Sequence, residues 1–241
     1  IGVAAFVPGE TTIYTALGGA AQFAGLLVPI LALVAAYLAI AGERESGSIK
    51  ILLGLPPSRG EVLIGKFVAR SLVVVVGIVV GFAVAALVTA LLYGFVPVTV
   101  FAEVTLLSAV LGVAFVGIAV GISAATASRA RAMTYGISAF LVLTLLWDLV
   151  PEIASMIVGT TPQGGVQPWY LLLTILSPTG AYNGLVAVVL GAPTGSPGFP
   201  ALLSGPTPVY LTPQAMVAIL GVWTVVSLLV GYRLFDRADI S

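Results

Sequence analysis

Long apolar stretches separated by short polar segments run through most of this chain. A helix of about 20 apolar residues is long enough to cross the hydrocarbon core of a bilayer. We therefore predict an all-α protein, a polytopic transmembrane helical bundle that forms a single domain over residues 1–241. The five predicted spans are residues 15–42, 71–95, 103–127, 133–150 and 213–234.

Residues near the ends of these spans predict where helices begin and end. Pro213 fits the first turn of the fifth span, because the N–H that proline lacks has no helical partner there. Glu103 is expected near the N-terminus of the third span, where the helix dipole favours a carboxylate. Trp147, Asp148 and Pro151 predict that the fourth span ends in the interfacial region of the membrane.

The segment between the fourth and fifth spans, residues 151–212, is rich in proline and contains no Lys or Arg. Two apolar pieces within it, residues 168–176 and 181–190, are short for a full crossing. We interpret them as short re-entrant or interfacial helices, because backbone at membrane depth must satisfy its hydrogen bonds within the protein. The alternative is a full hairpin of two spans, which leaves the sidedness of the chain the same.

The composition agrees with a membrane protein and excludes several kinds of chemistry. Hydrophobic residues make up 60% of the chain and charged residues 7%, and the mean hydropathy is +1.19. The net charge is zero, so no overall field attracts nucleic acid. The sequence contains no Cys and no His, which removes disulfides, thiolate catalysis and the commonest metal ligand and general base. We therefore expect no catalytic, cofactor-binding or metal site and no enzymatic activity in this chain.

The basic residues occur in three clusters: Arg44 to Arg70, Arg129 with Arg131, and Arg233 with Arg237. Lys and Arg collect on the cytoplasmic side of membrane proteins. Because the five spans alternate in direction, all three clusters fall on one side. We predict that residues 43–70, residues 128–132 and the C-terminus are cytoplasmic and that residues 151–212 are external. Five spans and an external N-terminus lead us to expect one more span upstream, six in the complete subunit.

The first cytoplasmic segment has the most detailed pattern. Residues 46–55 predict a short amphipathic helix with Lys50 away from its apolar side. That apolar side consists of Ile49, Leu52 and Leu53. Pro56 and Pro57 end the helix, because proline cannot donate a hydrogen bond and disfavours helix in the residue before it.

A second helix is predicted to start immediately after the two prolines. Ser58 followed three residues later by Glu61 is a capping-box pattern. The helix would carry Val62, Leu63 and Phe67 on one side and lead into the second span.

This segment resembles the first cytoplasmic loop of the membrane subunits of ABC-2 type transporters, the permease branch that includes the NosY-like proteins. The resemblance follows the order E-x-E-S-G-S-I-K-x-L-L-x-L-P-x-S-R-x-x-V-L-x-G-K-x-x-A-R from Glu43 through Arg70. Further similarity lies in Leu176-Ser177-Pro178, in Ala181-Tyr182 and in the tail from Tyr232 to Ile240.

The resemblance implies that residues 43–70, here called the coupling segment, hold a coupling helix over 46–55 that docks on a separate ATP-hydrolysing subunit. The residues expected at that interface are Glu43, Glu45, Ser46, Gly47, Ile49, Lys50, Leu52, Leu53, Leu55, Pro56, Ser58 and Arg59.

The same resemblance implies a permease working as a homodimer in the cell membrane of a prokaryote, and we expect export. ATP and Mg²⁺ would bind to the partner subunit, because this chain contains no G-x-x-x-x-G-K-[ST] sequence.

Other interpretations of the same residues remain open. The coupling segment could be an interfacial loop lying on lipid headgroups. The whole chain could be a carrier or channel that works alone, which would need charged or polar groups at mid-membrane. Glu43 and Glu45 are interpreted as capping and ion-pairing groups rather than an acid-base pair. Asp148 and Glu152, one helical turn apart, could form an external cation site but are interpreted as solvated carboxylates.

Two glycine motifs occur in the spans. Gly77-x-x-x-Gly81 and Gly117-x-x-x-Gly121 both permit close approach of a neighbouring helix. We take them only as an indication of tight helix packing, because such spacings are common in glycine-rich spans.

Overall fold

The computed structural model describes residues 10–47, 58–159, 167–194 and 208–238, and all regular structure in these ranges is helical. The α-helices are α1 (Glu10–Ala36), α2 (Ala41–Glu45), α3 (Arg59–Tyr93), α4 (Val98–Ala125), α5 (Arg129–Phe140), α6 (Leu149–Val158), α7 (Pro168–Ile175), α8 (Pro178–Thr194) and α9 (Pro213–Asp236). A π-helical turn, Leu141–Leu146, continues α5, and a 3₁₀ turn, Val209–Leu211, precedes α9.

By length and composition, the described residues contain four to six candidate membrane-spanning segments. Four helices are long and apolar enough to cross by themselves: Thr12–Glu45, Arg59–Tyr93, Val98–Ala125 and Pro213–Asp236. Two bent helix pairs, α5 with α6 and α7 with α8, reach the same length and hydropathy only when each pair is taken together. The prediction of an all-helical membrane bundle is therefore confirmed.

Two predicted helix ends are wrong. α4 begins at Val98, so Glu103 lies beyond the first helical turn and does not interact with the helix N-terminus. The helix of the fourth predicted span does not stop at Trp147 and Asp148, because it bends there by 52° and resumes as α6 as far as Val158. Pro151 lies in the first turn of α6, where proline is tolerated because that turn needs no N–H donor.

Helices α7 and α8 meet at an angle of 114° around Leu176 and Ser177. α7 has 8 residues and is therefore about 12 Å long, too short to cross a hydrocarbon core of about 30 Å. These two helices thus do not form a hairpin of two full spans, and short helices packed on the bundle describe them better.

The turn between α7 and α8 finds hydrogen-bond donors inside the protein. The indole N–H of Trp147 donates to the Leu173 carbonyl at 2.8 Å, and that of Trp223 donates to the Leu176 carbonyl at 2.9 Å. The Ser177 hydroxyl accepts the Gly180 N–H at 2.9 Å. A turn placed among apolar helices needs such partners, because unpaired backbone groups are costly away from water.

α4 is the central helix and contacts α1, α3, α8 and α9. Its closest neighbour is α9, where Gly117 and Gly121 face Thr224, Ser227 and Gly231. A Cβ added at Gly231 would lie 2.6 Å from the Gly121 Cα, so the two backbones touch. The Gly117 and Gly121 motif is therefore a true packing motif.

The other glycine motif has a different environment. A Cβ at Gly77 or Gly81 would meet no atom within 4 Å. Both residues instead line an apolar groove between α1 and α3 that Phe23 and Leu27 border.

Buried Tyr182 links three helices. Its hydroxyl donates to the Ala21 carbonyl of α1 at 3.0 Å and lies 3.0 Å from the Ser108 hydroxyl of α4. The side chain comes from α8, so one hydroxyl joins α8 to the two helices on which it packs. A buried phenol without these partners would be unfavourable.

Gly121→Ala is expected to destabilise the protein by about 1–3 kcal/mol, because the added methyl group would overpack the contact between α4 and α9. Thermal unfolding of the purified protein in detergent, followed by circular dichroism, should show a lower midpoint. Gly77→Ala is the matched control, since its methyl group meets no atom within 4 Å and alanine favours helix. Equal midpoints for the two variants would contradict the packing role of Gly121.

Candidate functional site at the basic end of the bundle

Most of the charged side chains meet at one end of the bundle. This end, here called the basic end, is formed by the end of α2, the start of α3, the start of α5 and the end of α9. It carries Arg44, Arg59, Lys66, Arg129 and Arg233. Two parts of the coupling segment are described, residues 43–47 and residues 58–70. Both belong to the basic end.

Arg44 joins α2 to the end of the central helix α4. Its Nη1 donates to the carbonyl oxygens of Ala124 at 3.3 Å and Thr126 at 3.0 Å. The last carbonyls of a helix have no partner within the helix, and a cation there is favoured by the helix dipole. The guanidinium thus supplies donors that the end of α4 lacks.

Ser123 completes this joint from the other side. Its hydroxyl accepts the backbone N–H groups of Ile40 and Ala41, each at 3.0 Å. These amides lie at the start of α2, where the first N–H groups of a helix are otherwise unpaired. The start of α2 is therefore bonded to α4, and the end of α4 is bonded to α2.

Arg59 makes an equivalent joint between the start of α3 and the end of α9. Its Nη1 donates to the carbonyl oxygens of Phe235, Asp236 and Ala238 at 2.6, 2.7 and 3.1 Å. The guanidinium also lies over the Phe235 ring, 5.6 Å from the ring centroid, where a cation is attracted to the aromatic face. Phe235 is fully buried, so it gives Arg59 a rigid support.

Carboxylates add two ion pairs to the basic end. Glu43 forms a salt bridge with Lys66, which ties α2 to α3. Glu45 accepts the backbone N–H of Arg129 at the start of α5, and the Arg129 Nε lies 3.9 Å from the same carboxylate. These contacts support the interpretation of Glu43 and Glu45 as capping and pairing groups. Partly exposed pairs of this kind contribute about 0–1 kcal/mol each, so they orient the helices more than they stabilise them.

The capping box at the start of α3 is confirmed. The Ser58 side chain accepts the Glu61 N–H, and the Glu61 carboxylate accepts the Ser58 N–H at 2.7 Å. Val62 and Leu63 are buried and Phe67 packs against the core, as the sequence predicted. The cap therefore places Arg59, the first residue of the helix, in a defined orientation.

The structure brings six of the predicted interface residues to the basic end: Glu43, Glu45, Ser46, Gly47, Ser58 and Arg59. Ser46 caps the C-terminus of α2, and Gly47, with a φ of 76°, follows it in the left-handed conformation that glycine tolerates. The predicted helix over 46–55 otherwise falls outside the described residues. The same holds for Ile49, Lys50, Leu52, Leu53, Leu55 and Pro56.

Two contacts at the basic end were not predicted from sequence. Arg44 was assigned a role in topology alone, and Ser123 was not singled out. Both act across helix ends that lie about 80 residues apart in the chain. A basic residue close to a span end is the only local signal for such a contact, and it does not identify the helix end that is bound.

Of the acidic pair Asp148 and Glu152 at the opposite end of the bundle, Glu152 has a hydrogen-bond partner within the protein. Glu152 accepts a hydrogen bond from the Tyr170 hydroxyl at 2.6 Å. Within residues 10–47, 58–159, 167–194 and 208–238 no three acidic side chains gather into a group that could hold a metal ion.

Comparison with known proteins agrees with the geometry of a membrane subunit. The sequence profile of the family described as ABC-2 family transporter protein matches residues 6–240. A Stutzerimonas stutzeri protein named "Probable ABC transporter permease protein NosY" is 30% identical over 233 residues, which cover 95% of this chain and 82% of that protein. A Pseudomonas aeruginosa protein of the same name is 28% identical over 237 residues, covering 96% of this chain and 83% of that protein.

Arg59→Ala is expected to loosen the last turn of α9, because three carbonyl groups lose their donor and the Phe235 ring loses its cation. Hydrogen exchange of the amides at residues 232–237 should become about tenfold faster, the effect of losing roughly 1.4 kcal/mol. Exchange measured by mass spectrometry on the purified protein tests this. Arg131→Ala is the control, because the Arg131 side chain makes no hydrogen bond within the described ranges. Unchanged exchange in Arg59→Ala would show that Arg59 does not hold α9.

Proposed function

Because this chain belongs to the ABC-2 family of transporter proteins, we propose that its coupling segment receives force from a separate ATP-hydrolysing subunit and passes it to the membrane helices. The chain is a multi-pass permease subunit of an ABC transporter. We propose that this subunit changes shape when its partner binds and hydrolyses ATP. The proposal concerns the route by which that change enters this chain.

The observation that carries the proposal is that both ends of the coupling segment are bonded to spans other than their own. Arg44 holds the first end to α4, and Arg59 holds the second end to α9. A partner that displaces the segment would therefore pull on the ends of four spans at once. These spans are α1, to which α2 is connected, and α3, α4 and α9. A loop that merely connected two spans would need no such joints.

Helices α4 and α9 would move as a unit under this force. Their backbones touch where Gly231 packs on Gly121, so there is no intervening side chain to absorb a displacement. A shift of the basic end would thus be carried along the central helix into the middle of the bundle.

We also propose that the basic end faces the cytoplasm of a prokaryotic cell. The clustering of Lys and Arg supports this sidedness. An ATP-hydrolysing partner needs cytoplasmic ATP and would lie on the same side. The opposite end, with α6, α7 and the end of α8, would then face outward.

The proposed assembly contains two copies of this chain and two ATPase subunits, which bind ATP and Mg²⁺, and it works as an exporter. In this assembly the interface residues include Ile49, Leu52 and Leu53, which would pack into a groove of the ATPase, with charged residues at the rim. The alternative of a carrier that works alone predicts no such partner.

Replacement of Ile49, Leu52 and Leu53 by Glu is expected to abolish co-purification of the proposed ATPase subunit, because charged groups would replace the apolar contact. Affinity purification from detergent-solubilised membranes measures it. The control carries Val209→Glu and Tyr210→Glu, two exposed residues of the 3₁₀ turn at the opposite end, and should retain the partner. Retention of the ATPase by the triple variant would refute the coupling-helix assignment.

The double variant Arg44→Gln, Arg59→Gln is expected to bind the ATPase but to lose most of the permease-dependent stimulation of ATP hydrolysis, about tenfold. The predicted coupling helix over 46–55 is unchanged, whereas the joints of the coupling segment to α4 and α9 are weakened. ATP hydrolysis by the reconstituted complex, compared with the ATPase alone, gives the readout. Arg131→Gln controls for the loss of positive charge. Full stimulation in the double variant would show that force does not pass through the two arginines.

A further inference from the structure

A second feature of the bundle has polar walls although it lies among the apolar helices. It is a cavity of about 680 Å³ between α1, the π-helical turn after α5, and α8. The polar residues among its lining are Tyr14, Thr15, Gln22, Thr144, Thr179 and Asn183. The cavity is nearer the end opposite to the basic end, because α1 reaches the basic end only after residue 36.

The cavity lies at membrane depth. Gln22 comes ten residues after Thr12, where the apolar stretch of α1 begins, so it lies roughly 15 Å along the helix. Asn183 is at a similar depth, because its Oδ1 would lie 3.4 Å from a Cβ placed on Gly25. Two carboxamides therefore line the same cavity at similar depth.

These carboxamides and the Tyr14 hydroxyl have no hydrogen-bond partner within the described residues, whereas neighbouring polar groups do. Thr144 and Thr179 bond to each other at 3.3 Å, and Tyr182, next to Asn183 in sequence, bonds to Ala21 and lies beside Ser108. Gln22 and Asn183 are exposed on the surface of the subunit and point toward the cavity. Unpaired amides at this depth are costly, so a molecule other than hydrocarbon should meet them.

We propose that this cavity binds the uncharged, hydrogen-bonding head of an amphiphilic molecule that the transporter moves. None of the described residues that line the cavity is charged, so an ionic head would find no counter-charge among them at a depth where that is costly. Amides and hydroxyls can donate to and accept from hydroxyl or amide groups of a ligand. Leu26 and Val186 supply apolar wall for the rest of the molecule, and the volume is that of an ordinary ligand pocket.

The proposal deepens the proposed function by naming a substrate class, and it rests on that function only for the transport step. Binding itself does not depend on the ATPase. Failures of the two proposals can therefore be distinguished. If a ligand analogue protects the cavity but no ATPase subunit binds, only the transport proposal is refuted. If the ATPase subunit binds but the analogue does not protect the cavity, the cavity proposal is refuted.

A reporter cysteine makes the cavity measurable, because the chain contains no native Cys. Ala187→Cys lies in the cavity wall and leaves the polar residues in place. The full chain is reconstituted in phosphatidylcholine bilayers and labelled with N-ethylmaleimide. Three probes with the same decyl chain are added separately: decyl maltoside with an uncharged head, decyl sulfate with an anionic head, and decyltrimethylammonium with a cationic head.

We expect decyl maltoside to slow the labelling of Cys introduced at residue 187 about fivefold or more at concentrations where both charged probes have little effect. Gln22→Met with Asn183→Leu should remove this protection while leaving the rate without probe unchanged, because both replacements keep the size of the side chain. The control reporter is Val76→Cys, at an exposed position of α3. Its labelling rate should not depend on which head group the added probe carries.

Three results would overturn the proposal. Equal protection by all three probes would show a site for the apolar chain alone. Protection that survives Gln22→Met with Asn183→Leu would show that the amides do not bind the head. Rapid disulfide formation between two copies carrying Gln22→Cys, with no labelling at residue 187, would show that a second copy of the chain covers the cavity.

Discussion

The structure depends on one constraint: a polar group that lies in the bilayer must find its hydrogen-bond partner inside the protein. Regular helices meet the constraint along their length, so the difficult places are helix ends and turns. The turn between α7 and α8 meets it with two indole N–H groups, from Trp147 and Trp223. Tyr182 meets it by bonding to a carbonyl of α1. In each case the polar group that needed a partner also fixed one helix against another.

The same constraint explains the construction of the basic end. The final carbonyls of α4 and α9 have no helical partner. Two arginines of the coupling segment supply hydrogen-bond donors, Arg44 to the end of α4 and Arg59 to the end of α9. A surface arginine would ordinarily remain hydrated. Here Arg44 and Arg59 are used to bond the stems of one segment to two other spans. The hydrogen bonds that these backbone carbonyls need therefore also connect the coupling segment to two other spans. The proposed transmission of force from outside the membrane requires such a connection.

The polar cavity is the place where the constraint is not met within the described part of the subunit. Gln22 and Asn183 stand beside satisfied groups of similar chemistry, Thr144 and Tyr182, and yet have no partner. Polar side chains that hold the bundle together have hydrogen-bond partners, whereas the two carboxamides of the cavity have none within the described residues. This difference distinguishes structural groups from groups that we propose bind a ligand. A purely apolar pathway, compatible with the low polar content of the spans, does not describe this region.

The sequence by itself determined the helical membrane bundle, the grouping of basic residues and the cap at Ser58 and Glu61, because apolar runs, charge and capping are local properties of the chain. It also indicated the coupling segment through its resemblance to ABC-2 subunits. It did not identify the bend at Trp147, the different roles of the two glycine motifs, the joints of Arg44 and Arg59, or the location of Gln22 and Asn183 on one cavity. Those features were decided by the tertiary structure, because each depends on which helix packs against which. The helices that pack together are far apart in the chain, and local sequence patterns do not encode their pairing.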